Sequence, residues 1–591
     1  MEGYKTDGWR TFSGGMRMAD GARSAIGPDQ AEILVNATVR RGRVEPRPAI
    51  HVEPLAFRGR RAQAIFERGQ FQAAAFYDSP AGPRLVIVSD GHILSFDPES
   101  KLMRLISPNN RQVFPKLNRQ AWLCQRSRWM VAQCGGSPPA IIEGDRVRIE
   151  TDAYNGVPAG AMMADGWNRL VVVAADRRRI FLSDHEYDPT TNPLRFTDDA
   201  TYFKNARYFE MPRALGEVRA VTFAPSFNNQ DDWGPLLVFG ANGTRAFQLQ
   251  VPRENWVDQD IAATVLPSIG GIAQGAQVAR GNDLVFSDDR GRIQTFKAAI
   301  TGRDDVRLRP ADQAVWPLYR SEDSRLRAHR SAVRFDDRII TTIWPESVSL
   351  ANGRRPVRHR GMVVMEEDHL SERPFVWAGL WTGIFPVSLV TGAGCCWAIS
   401  LDPDGVHRIY RITTEAGPDL MPEPRRVPWW LVPRWTDHGN PFALKNVASA
   451  AIDLDRARGR VSIQGWWQTA GDQPRQWFTH EQASPDCLAF RDCGIIAEVA
   501  DAGAPRFNLP APPLDRAAHF SRPWLRFTGH AAVEQGWVLA SVTAGNQDAS
   551  NQCAVPTVAR GELAPCEPAW WEGHSRELPI DTQLPVELCP N

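Results

Sequence analysis

The residues that could perform metal or nucleophile chemistry are scattered along this chain. His185-Glu186 and His480-Glu481 are isolated dipeptides, whereas a hydrolytic zinc site needs a second histidine one helical turn away. The sequence contains no Gly-x-Ser-x-Gly nucleophile elbow and no phosphate-binding loop. We therefore predict that the chain is not an enzyme and that it holds no cofactor and no metal ion.

Two acidic turns are the next candidates for chemistry. Asp402-Pro403-Asp404-Gly405 begins like a calcium-binding loop, but the acidic ligands expected further along such a loop are missing. Ser287-Asp288-Asp289-Arg290-Gly291-Arg292 partly resembles the Ser-x-Asp-x-Gly turn of sialidase propellers, where Ser and Asp satisfy the hairpin backbone. Sialidases repeat that turn and add a tyrosine nucleophile with acidic partners, whereas one copy is visible here. We predict two hairpin turns and keep a glycoside-hydrolysing protein as an alternative.

Paired tryptophans recur at Trp429-Trp430, Trp466-Trp467 and Trp570-Trp571. Aromatic pairs stack on sugar rings, fill subunit interfaces or pack in a core. Because the faces of a strand alternate, we expect one member of each pair to point inward and the other outward. This pattern favours core and interface packing and leaves a glycan-binding platform as the alternative.

Net charge does not indicate a partner. Lys+Arg and Asp+Glu both total 68, so charge alone predicts neither nucleic-acid nor membrane binding. Short basic clusters occur at Arg40-Arg41, Arg60-Arg61, Arg177-Arg178-Arg179 and Arg354-Arg355. Each is either a solvated turn or a contact with a neighbouring subunit or passing nucleic acid. A channel along which DNA slides should avoid a strong phosphate grip, and a balanced charge is compatible with that requirement.

The cysteines and the first residues bear on the compartment. Met1-Glu2-Gly3-Tyr4-Lys5 contains no apolar stretch, so we expect no secretory signal, and no window approaches the roughly 18 apolar residues that span a bilayer. We predict a protein made in a cytoplasm with reduced, mostly buried thiols. One or two C-terminal disulfides formed after release are the alternative, because five of the nine cysteines lie near the C-terminus: Cys487, Cys493, Cys553, Cys566 and Cys589.

The elements that would position these residues are short paired strands. An apolar strand, a tight polar turn and a second strand recur, and Asn-Gly or Asp-Gly turns accept the positive φ angles of two-residue hairpins. The recurring strands begin at Leu85, Trp129, Leu170, Leu236, Leu284, Ile339 and Cys396. From Asp90 to Asp404 the mean spacing is about 52 residues, slightly above the roughly 40–50 of a propeller blade. We predict an all-β chain containing a β-propeller.

Composition divides the chain into three regions. Residues 1–60 should form an N-terminal arm and a short helix over 27–36, in which Pro28 suits the first helical position. Residues 61–425 should form the propeller, with insertions at 185–215 and 345–360. Residues 426–591 should form a β-sandwich-like platform together with residues 1–60.

The platform prediction depends on alternating strands. Residues 447–454 and 460–466 read as a strand pair joined by a turn at Ala457-Arg458-Gly459. Further strands are predicted at 495–499, 524–527 and 537–542.

Three short parts of the chain carry a further pattern. They are a glycine-containing N-terminal part, a part in the propeller and a part at the propeller exit: Phe12-Ser13-Gly14-Gly15-Met16 with Gly42-Arg43-Val44-Glu45-Pro46-Arg47-Pro48; Ser268-Ile269-Gly270-Gly271 with Gly291-Arg292-Ile293; and Pro433-Arg434-Trp435-Thr436-Asp437 with Asn440-Pro441-Phe442. Together they resemble the tail nozzle (tail tubular protein B) proteins of short-tailed bacteriophages.

This resemblance implies a structural virion protein of the phage tail, made in the host cytoplasm. The family's propeller and platform assemble as a six-fold ring, here a homohexamer, which attaches to the tail adaptor and conducts double-stranded DNA during genome ejection. Other tail proteins or fibres would be further partners. The candidate subunit or adaptor contacts are Phe12, Met16, Arg40, Arg41, Arg43, Arg47, Trp429 and Trp430. A glycan-binding or glycoside-hydrolysing propeller and a bacterial interaction hub are the alternatives.

Overall fold

The computed structural model describes residues 3–543 apart from 19–25, 117–119, 153–154, 186–193, 197–207, 226–233, 252–254, 257–260, 302–309, 321, 344–360, 368–374, 418, 422, 426, 441–442, 471–473, 484–505 and 510–518. Several predicted features lie outside the described residues: the insertion at 345–360, most of the one at 185–215, the strand at 495–499, Arg354-Arg355, Trp570-Trp571 and the five C-terminal cysteines.

The N-terminal segment contributes six strands and the first helix. These are β1 (Gly3–Arg10), β2 (Ala31–Val35), β3 (Ala37–Arg40), β4 (Arg43–Pro46), β5 (Pro48–Val52), β6 (Ala56–Phe57) and α1 (Arg60–Arg68).

Five groups of antiparallel strands follow. They are β7 (Phe71–Ser79), β8 (Gly82–Ser89), β9 (His92–Asp97) and β10 (Leu102–Leu105); β11 (Trp122–Arg126), β12 (Trp129–Gln133), β13 (Ala140–Glu143) and β14 (Arg146–Ile149); β15 (Gly160–Gly166), β16 (Arg169–Ala174), β17 (Arg179–Leu182) and β18 (Phe209–Glu210); β19 (Val218–Phe223), β20 (Leu236–Gly240), β21 (Thr244–Phe247) and β22 (Ala262–Leu266); and β23 (Gln277–Arg280), β24 (Asp283–Ser287) and β25 (Ile293–Thr295).

Two short helices precede the remaining strands. The elements are α2 (Phe296–Thr301), α3 (Trp316–Arg320), β26 (Ala332–Phe335), β27 (Arg338–Ile343), β28 (Gly361–Glu366), β29 (Val376–Trp381), β30 (Pro386–Gly392), β31 (Cys395–Leu401), β32 (His407–Ala416), β33 (Asp419–Met421), β34 (Glu423–Arg425), β35 (Pro428–Pro433), β36 (Leu444–Thr469), β37 (Arg475–Ala483), β38 (Arg506–Leu509) and β39 (Ser521–Thr543). Single 3₁₀ turns lie at Pro108–Asn110, Arg213–Leu215, Ala311–Val315 and Arg327–His329.

The predicted strands form where apolar runs meet tight turns. Leu85–Val88 of β8 are buried, and the turn to β9 uses Asp90 (φ 50°) and Gly91 (φ 72°), both left-handed as a two-residue hairpin requires. Every residue of β16 and of β20 is buried, which is the pattern of strands covered on both faces. The all-β prediction and the recurring hairpins are confirmed.

Six small sheets are arranged radially as the blades of a β-propeller. Strands β26–β29, which belong to the large sheet, lie between the blade β23–β25 and the blade β30–β34. The first strand of each group lies at a sheet edge and contacts the first strand of a neighbouring group, and β30 contacts β7 to close the ring. Between neighbouring blades the core is aliphatic and aromatic; Leu237 and Phe239, for example, pack with Leu284 and Phe286.

The N-terminal segment fastens both ends of the propeller. β5 adds to the outer side of β32 in the last blade, while β6 runs parallel to β10 in the first. Residues assigned by sequence to the platform region therefore also supply outer strands to the propeller. This arrangement joins the first and last blades through a short stretch of chain.

The platform is a β-sandwich-like structure built on two long strands. One end of β39 pairs with β1 and with the first half of β36, and its other end pairs with β35 and with the second half of β36. Both halves contribute to one core, in which Val447 and Val538 from one half share a cluster with Val461 and Phe527 from the other.

The predicted helix over 27–36 is wrong. A turn, in which Gly27 N donates to Gln30 Oε1 at 2.9 Å, leads into strand β2. All five residues of β2 are buried because the strand lies between β35 and β29. A short apolar run that is enclosed on both sides gains more from sheet pairing than from its weak helix-start signals.

The predicted turn at Ala457-Arg458-Gly459 is also wrong. The two segments that were expected to pair with each other are parts of the single strand β36. Both pair with β39, and register shifts between Asp453 and Ser462 bend the strand where the two halves of the platform meet. Bulges, which bend a strand without ending it, replace the turn.

Gly379 permits the contact between propeller and platform. It lies in a bulge of β29 with φ +118°, and a Cβ at this position would lie 2.5 Å from the carbonyl oxygen of Leu34 in β2. We predict that Gly379→Ala lowers the free energy of unfolding by roughly 3–5 kcal/mol, because clash and backbone strain add. Urea unfolding monitored by tryptophan fluorescence measures it. Gly405→Ala is the control, because Gly405 has φ +79° and open space; it should cost about 1–2 kcal/mol. Equal effects would contradict the proposed role of the β2 contact.

His407 supplies a pH dependence to the last blade. Its ring lies in β32, 6.4 Å from the ring of Phe66 in α1 and 6.3 Å from that of Phe71. Burial lowers the pKa of His407 to about 4, against the attraction of the carbonyl groups of Glu67 and Phe66.

Because the folded state disfavours the charged imidazole, the unfolded chain binds more protons between about pH 6.5 and pH 4. Stability should therefore fall by about 3 kcal/mol as the pH drops through that window, and the dependence should level off below it. In His407→Leu the loss between pH 7.5 and pH 4.5 should be smaller than in the wild type. His519→Leu, at an exposed position, should retain the wild-type loss. An unchanged loss in His407→Leu would contradict this assignment.

Candidate functional site

Two of the sequence-predicted contact residues lie inside the platform. Phe12 and Met16 are buried, at 0% and 2% exposure. The backbone N–H of Met16 donates to the carbonyl of Trp377 at 2.7 Å, and its sulfur accepts from the N–H of Leu34 at 3.2 Å. Their assignment as intermolecular contacts is corrected, because in this fold their side chains fill the core behind β2 and β29.

The paired tryptophans are core residues too. Trp429 stacks on Phe527 with ring centroids 4.1 Å apart, and Trp430 packs on Trp466 at 5.2 Å. Trp467 is also buried, so both members of each described pair point into packed surroundings. The expected inward–outward split is wrong because the platform strands are covered on both faces. Trp429 and Trp430 are therefore unavailable as surface contacts or as a sugar platform.

Arg47 holds the propeller and platform together. Its guanidinium forms two bonds to the carboxylate of Asp419, Nη1 to Oδ1 at 2.9 Å and Nη2 to Oδ2 at 2.6 Å, and both side chains are fully buried. The same guanidinium donates to the carbonyl of Pro48 at 2.8 Å and to that of Thr382 at 3.1 Å. Its assignment as a subunit contact is corrected: Arg47 is an internal junction residue.

Asn36 completes this junction. It adopts a left-handed backbone (φ 52°), and its Oδ1 accepts from the N–H of Thr382 at 2.7 Å and from Arg47 Nε at 3.2 Å. Its Nδ2 donates to the carbonyl of Pro428 at 3.2 Å. The junction thereby links β29, β33 and β35 with the N-terminal segment, and each charged group has a partner.

A second ionic contact connects the β3–β4 hairpin to the β27–β28 sector. Glu366 accepts from Thr38 Oγ1 at 2.6 Å and from Arg40 Nε at 2.8 Å, and Arg40 Nη2 also bonds Asp336 Oδ2 at 2.6 Å. Arg40 is thus largely engaged within the chain. Arg43 is half-buried in β4, whereas Arg41 lies exposed at the hairpin tip with φ 54°. Of the eight candidates, Arg41 is the one that remains fully available to a partner.

A cavity of about 420 Å³ is lined by residues from several blades of the propeller. It opens on the face where the inner strands begin, because its walls are segments that precede inner strands and turns between second and third strands. The lining residues are Gln120, Trp122, Gly135, Met162, Arg177, Arg219, Ile272, Ala273, Gln274, Ala328 and His329. Among these described lining residues, His329 is the one side chain that titrates near neutral pH, and no carboxylate, thiol or hydroxyl accompanies it.

Gln274 lines this cavity and bonds two neighbouring strands. Its side-chain amide pairs with the backbone of Val221, accepting from the N–H and donating to the C=O at 2.8 Å each, and it donates to the carbonyl of Met163 at 3.2 Å. Gln274 therefore bridges the inner strands β15 and β19.

The two acidic turns have a structural role. Asp288 Oδ1 accepts from the N–H groups of Arg290 and Arg292 at 3.0 and 2.8 Å, and its Oδ2 accepts from Gln294 Nε2 at 2.9 Å. Gly291 N donates to the carbonyl of Asp288, and Gly405 N donates to that of Asp402 in the same way, each at 2.9 Å. Both are hairpin turns, as predicted. In the part of the chain that the structure describes, no group of His, Cys, Asp and Glu could hold a metal ion.

Sequence reasoning missed the Arg47–Asp419 pair and the role of Gln274. Arg47 and Asp419 are 372 positions apart in the sequence, so no local spacing could have connected them. The proline on each side of Arg47 indicated an extended backbone but gave no sign of its partner.

Comparison with known proteins found alignments to solved structures alone. No family model and no curated protein matches the chain. Among solved structures, a chain of the crystal structure of the mitotic checkpoint complex aligns at 9% identity and TM-score 0.34, over 62% of this chain and 92% of that one. The Neurospora crassa Pan2 WD40 domain aligns at 10% identity and TM-score 0.34, over 59% and 90%. These scores are too low to carry an argument about fold or function.

Within the described residues, no helix combines the length and the apolar character needed to cross a bilayer.

Removing one partner of the junction should be severely destabilising. We predict that Arg47→Met and Asp419→Asn each lower the free energy of unfolding by about 3–5 kcal/mol, because each leaves polar or charged groups buried without partners. The double variant should lose less than the sum of the two, since it removes the stranded charge. Arg41→Ala, at the exposed tip, should change stability by less than about 0.5 kcal/mol. Additive losses in urea unfolding would contradict the coupling.

Proposed function

We propose that this chain is a structural virion protein, a tail nozzle or tail tube component that forms a homohexameric ring. The ring attaches to the tail adaptor and conducts the double-stranded genome during ejection. Its mechanism is assembly and conduction, without bond chemistry. The proposal starts from the resemblance of its three segments to phage nozzle proteins, and it draws support from the way its two parts are joined.

The supporting observation is the continuous connection between propeller and platform. β2 pairs with β29 of the propeller on one side and with β35 of the platform on the other, within one sheet. The Arg47–Asp419 pair lies buried beside this connection. A subunit joined by shared sheet and buried charges resists bending between its parts, unlike one with a flexible linker. A ring that withstands genome passage needs such a subunit.

The size of the cavity between the blades bears on the proposed path of DNA. This cavity has a volume of about 420 Å³, and Gln274 is among its lining residues. A duplex whose major groove alone is about 12 Å wide cannot enter such a space. The genome channel would therefore lie between subunits, at the centre of the ring, and not inside one propeller.

Among the described residues, the tryptophans and the acidic turn that suggested a glycan-directed protein are engaged inside the chain. Trp429, Trp430, Trp466 and Trp467 are buried, and the carboxylate of Asp288 is bonded to its own turn and to Gln294. The leading proposal keeps the adaptor, other tail proteins or fibres as partners and the virion tail as location. The exposed Arg41 on the β3–β4 hairpin is its accessible candidate contact.

Cryo-electron microscopy of the purified protein at high concentration tests the ring. We expect closed rings with a central channel wide enough for duplex DNA. Single subunits at every concentration, both alone and mixed with extracts of tail assembly intermediates, would contradict the proposal.

Arg41→Glu tests the hairpin contact within the same assay. Because it reverses the charge of an exposed side chain, the fold should persist while the concentration for half-assembly rises by about tenfold or more. Arg325→Glu, at an exposed arginine of the propeller, is the matched control and should assemble like the wild type. Normal assembly of Arg41→Glu would exclude the hairpin tip from the subunit interface.

A further inference from the structure

A cleft of about 470 Å³ lies on the outer edge of the propeller, between the first and second blades. The first blade contributes β10 and the start of α1, and the second contributes the turn between β13 and β14. Its charged walls are Arg58, Arg61, Arg104 and Asp145.

The charges of this rim cleft are unbalanced. Arg104 Nη1 bonds Asp145 Oδ2 at 2.7 Å, and Asp145 is the one carboxylate among the described lining residues. Arg58 and Arg61 form no ion pair with any described residue. Arg104 Nε is buried and lacks a hydrogen-bond partner among the described residues, which leaves a donor aimed at no acceptor. Three arginines around a single carboxylate leave a positive charge that a bound anion would neutralise.

The start of α1 adds positive potential to the cleft. The first turn of α1 contains no acidic residue that would offset the positive end of its dipole. On the facing side, Asn109 and Asn110 both have left-handed backbones, at φ 51° and 55°. Asn110 lines the cleft with the arginines.

We propose that the rim cleft binds a small phosphate-bearing molecule of about mononucleotide size. Guanidinium groups match phosphate oxygens in pairs, and a phosphate monoester offers a charge near −2 with three strong acceptors. The volume lies within the range of small-molecule pockets, roughly 300–1,000 Å³. Ala62, Leu105 and Ile106 form an apolar wall against which the carbon skeleton packs.

Asp145 has a specific part in this proposal. In the free protein the Asp145 carboxylate is paired with Arg104, and a phosphate that binds Arg104 must replace this carboxylate. Both side chains are about one-third exposed, so the existing pair is weak and can be exchanged. The carboxylate therefore competes with the ligand, and its removal should strengthen binding. An arginine site with only a structural role would not show this gain.

Isothermal titration calorimetry with the full chain and adenosine 5′-monophosphate tests the site. We expect one molecule bound per chain, with weaker binding of inorganic phosphate and none of adenosine. A potassium chloride titration at equal ionic strength is the reference. If neither adenosine monophosphate nor inorganic phosphate gives more heat than this reference, the proposal is wrong. A twenty-base-pair duplex is the second probe. Binding of the duplex without binding of the monophosphate would indicate a polyanion surface and would equally overturn it.

Variants separate ligand contacts from fold effects. Arg61→Ala and Arg104→Ala should each weaken adenosine monophosphate binding by about tenfold, the usual effect of one charged hydrogen-bonding group. Asp145→Asn should tighten it by about threefold or more. Arg148→Ala, on β14 outside the cleft, is the matched control and should bind like the wild type. If Asp145→Asn binds no more tightly while folding normally, the proposed exchange of Asp145 for phosphate is wrong.

Discussion

The bidentate pair between Arg47 and Asp419 is the interaction on which the arrangement of the whole molecule depends. It lies where the propeller ends, where the N-terminal segment crosses and where the platform begins, and it is excluded from water. A buried ion pair is poor evidence of net stability, because desolvation offsets much of the attraction. Its stronger effect is on specificity, since any other approach of the two parts would leave both charges unpaired. Asn36 and the carbonyl groups of Pro48 and Thr382 fix the orientation of the guanidinium.

This constraint explains why residues that look like surface contacts in the sequence are internal. The arginines near the N-terminus are spaced along an extended, proline-containing segment, which usually indicates exposure. In the fold, that segment is enclosed between the propeller and the long platform strands, so Arg47 turns inward and Arg40 bonds Glu366. Arg41 remains exposed because it lies at the tip of the β3–β4 hairpin. The difference among the three depends on which strand lies opposite each of them.

Features set by neighbouring residues were predictable, and features set by distant ones were not. The hairpin at Asp90 and Gly91 could be inferred because apolar runs and left-handed turn residues lie within a few positions. The strand β2 could not, because a five-residue apolar run is compatible with helix or strand until β29 and β35 enclose it. Likewise, nothing beside Gln274 indicates that its amide bridges two inner strands, and the rim cleft exists only where two blades meet.

The pairing of the N-terminal strand β5 with the last blade of the propeller affects how the chain folds. Ile50 donates its backbone N–H to Asp419, a partner 369 positions later in the chain. During synthesis the backbone N–H and C=O groups of β5 therefore stay unpaired until nearly the entire propeller has been made. Contacts of such sequence separation close slowly, because the entropy of a long loop is lost before the pairing is gained. Exposed strand edges also invite pairing with other chains in the interval. Folding of the blades in order, from β7 onward, would keep this interval short, and the last step would be the capture of the beginning of the chain by its later blade.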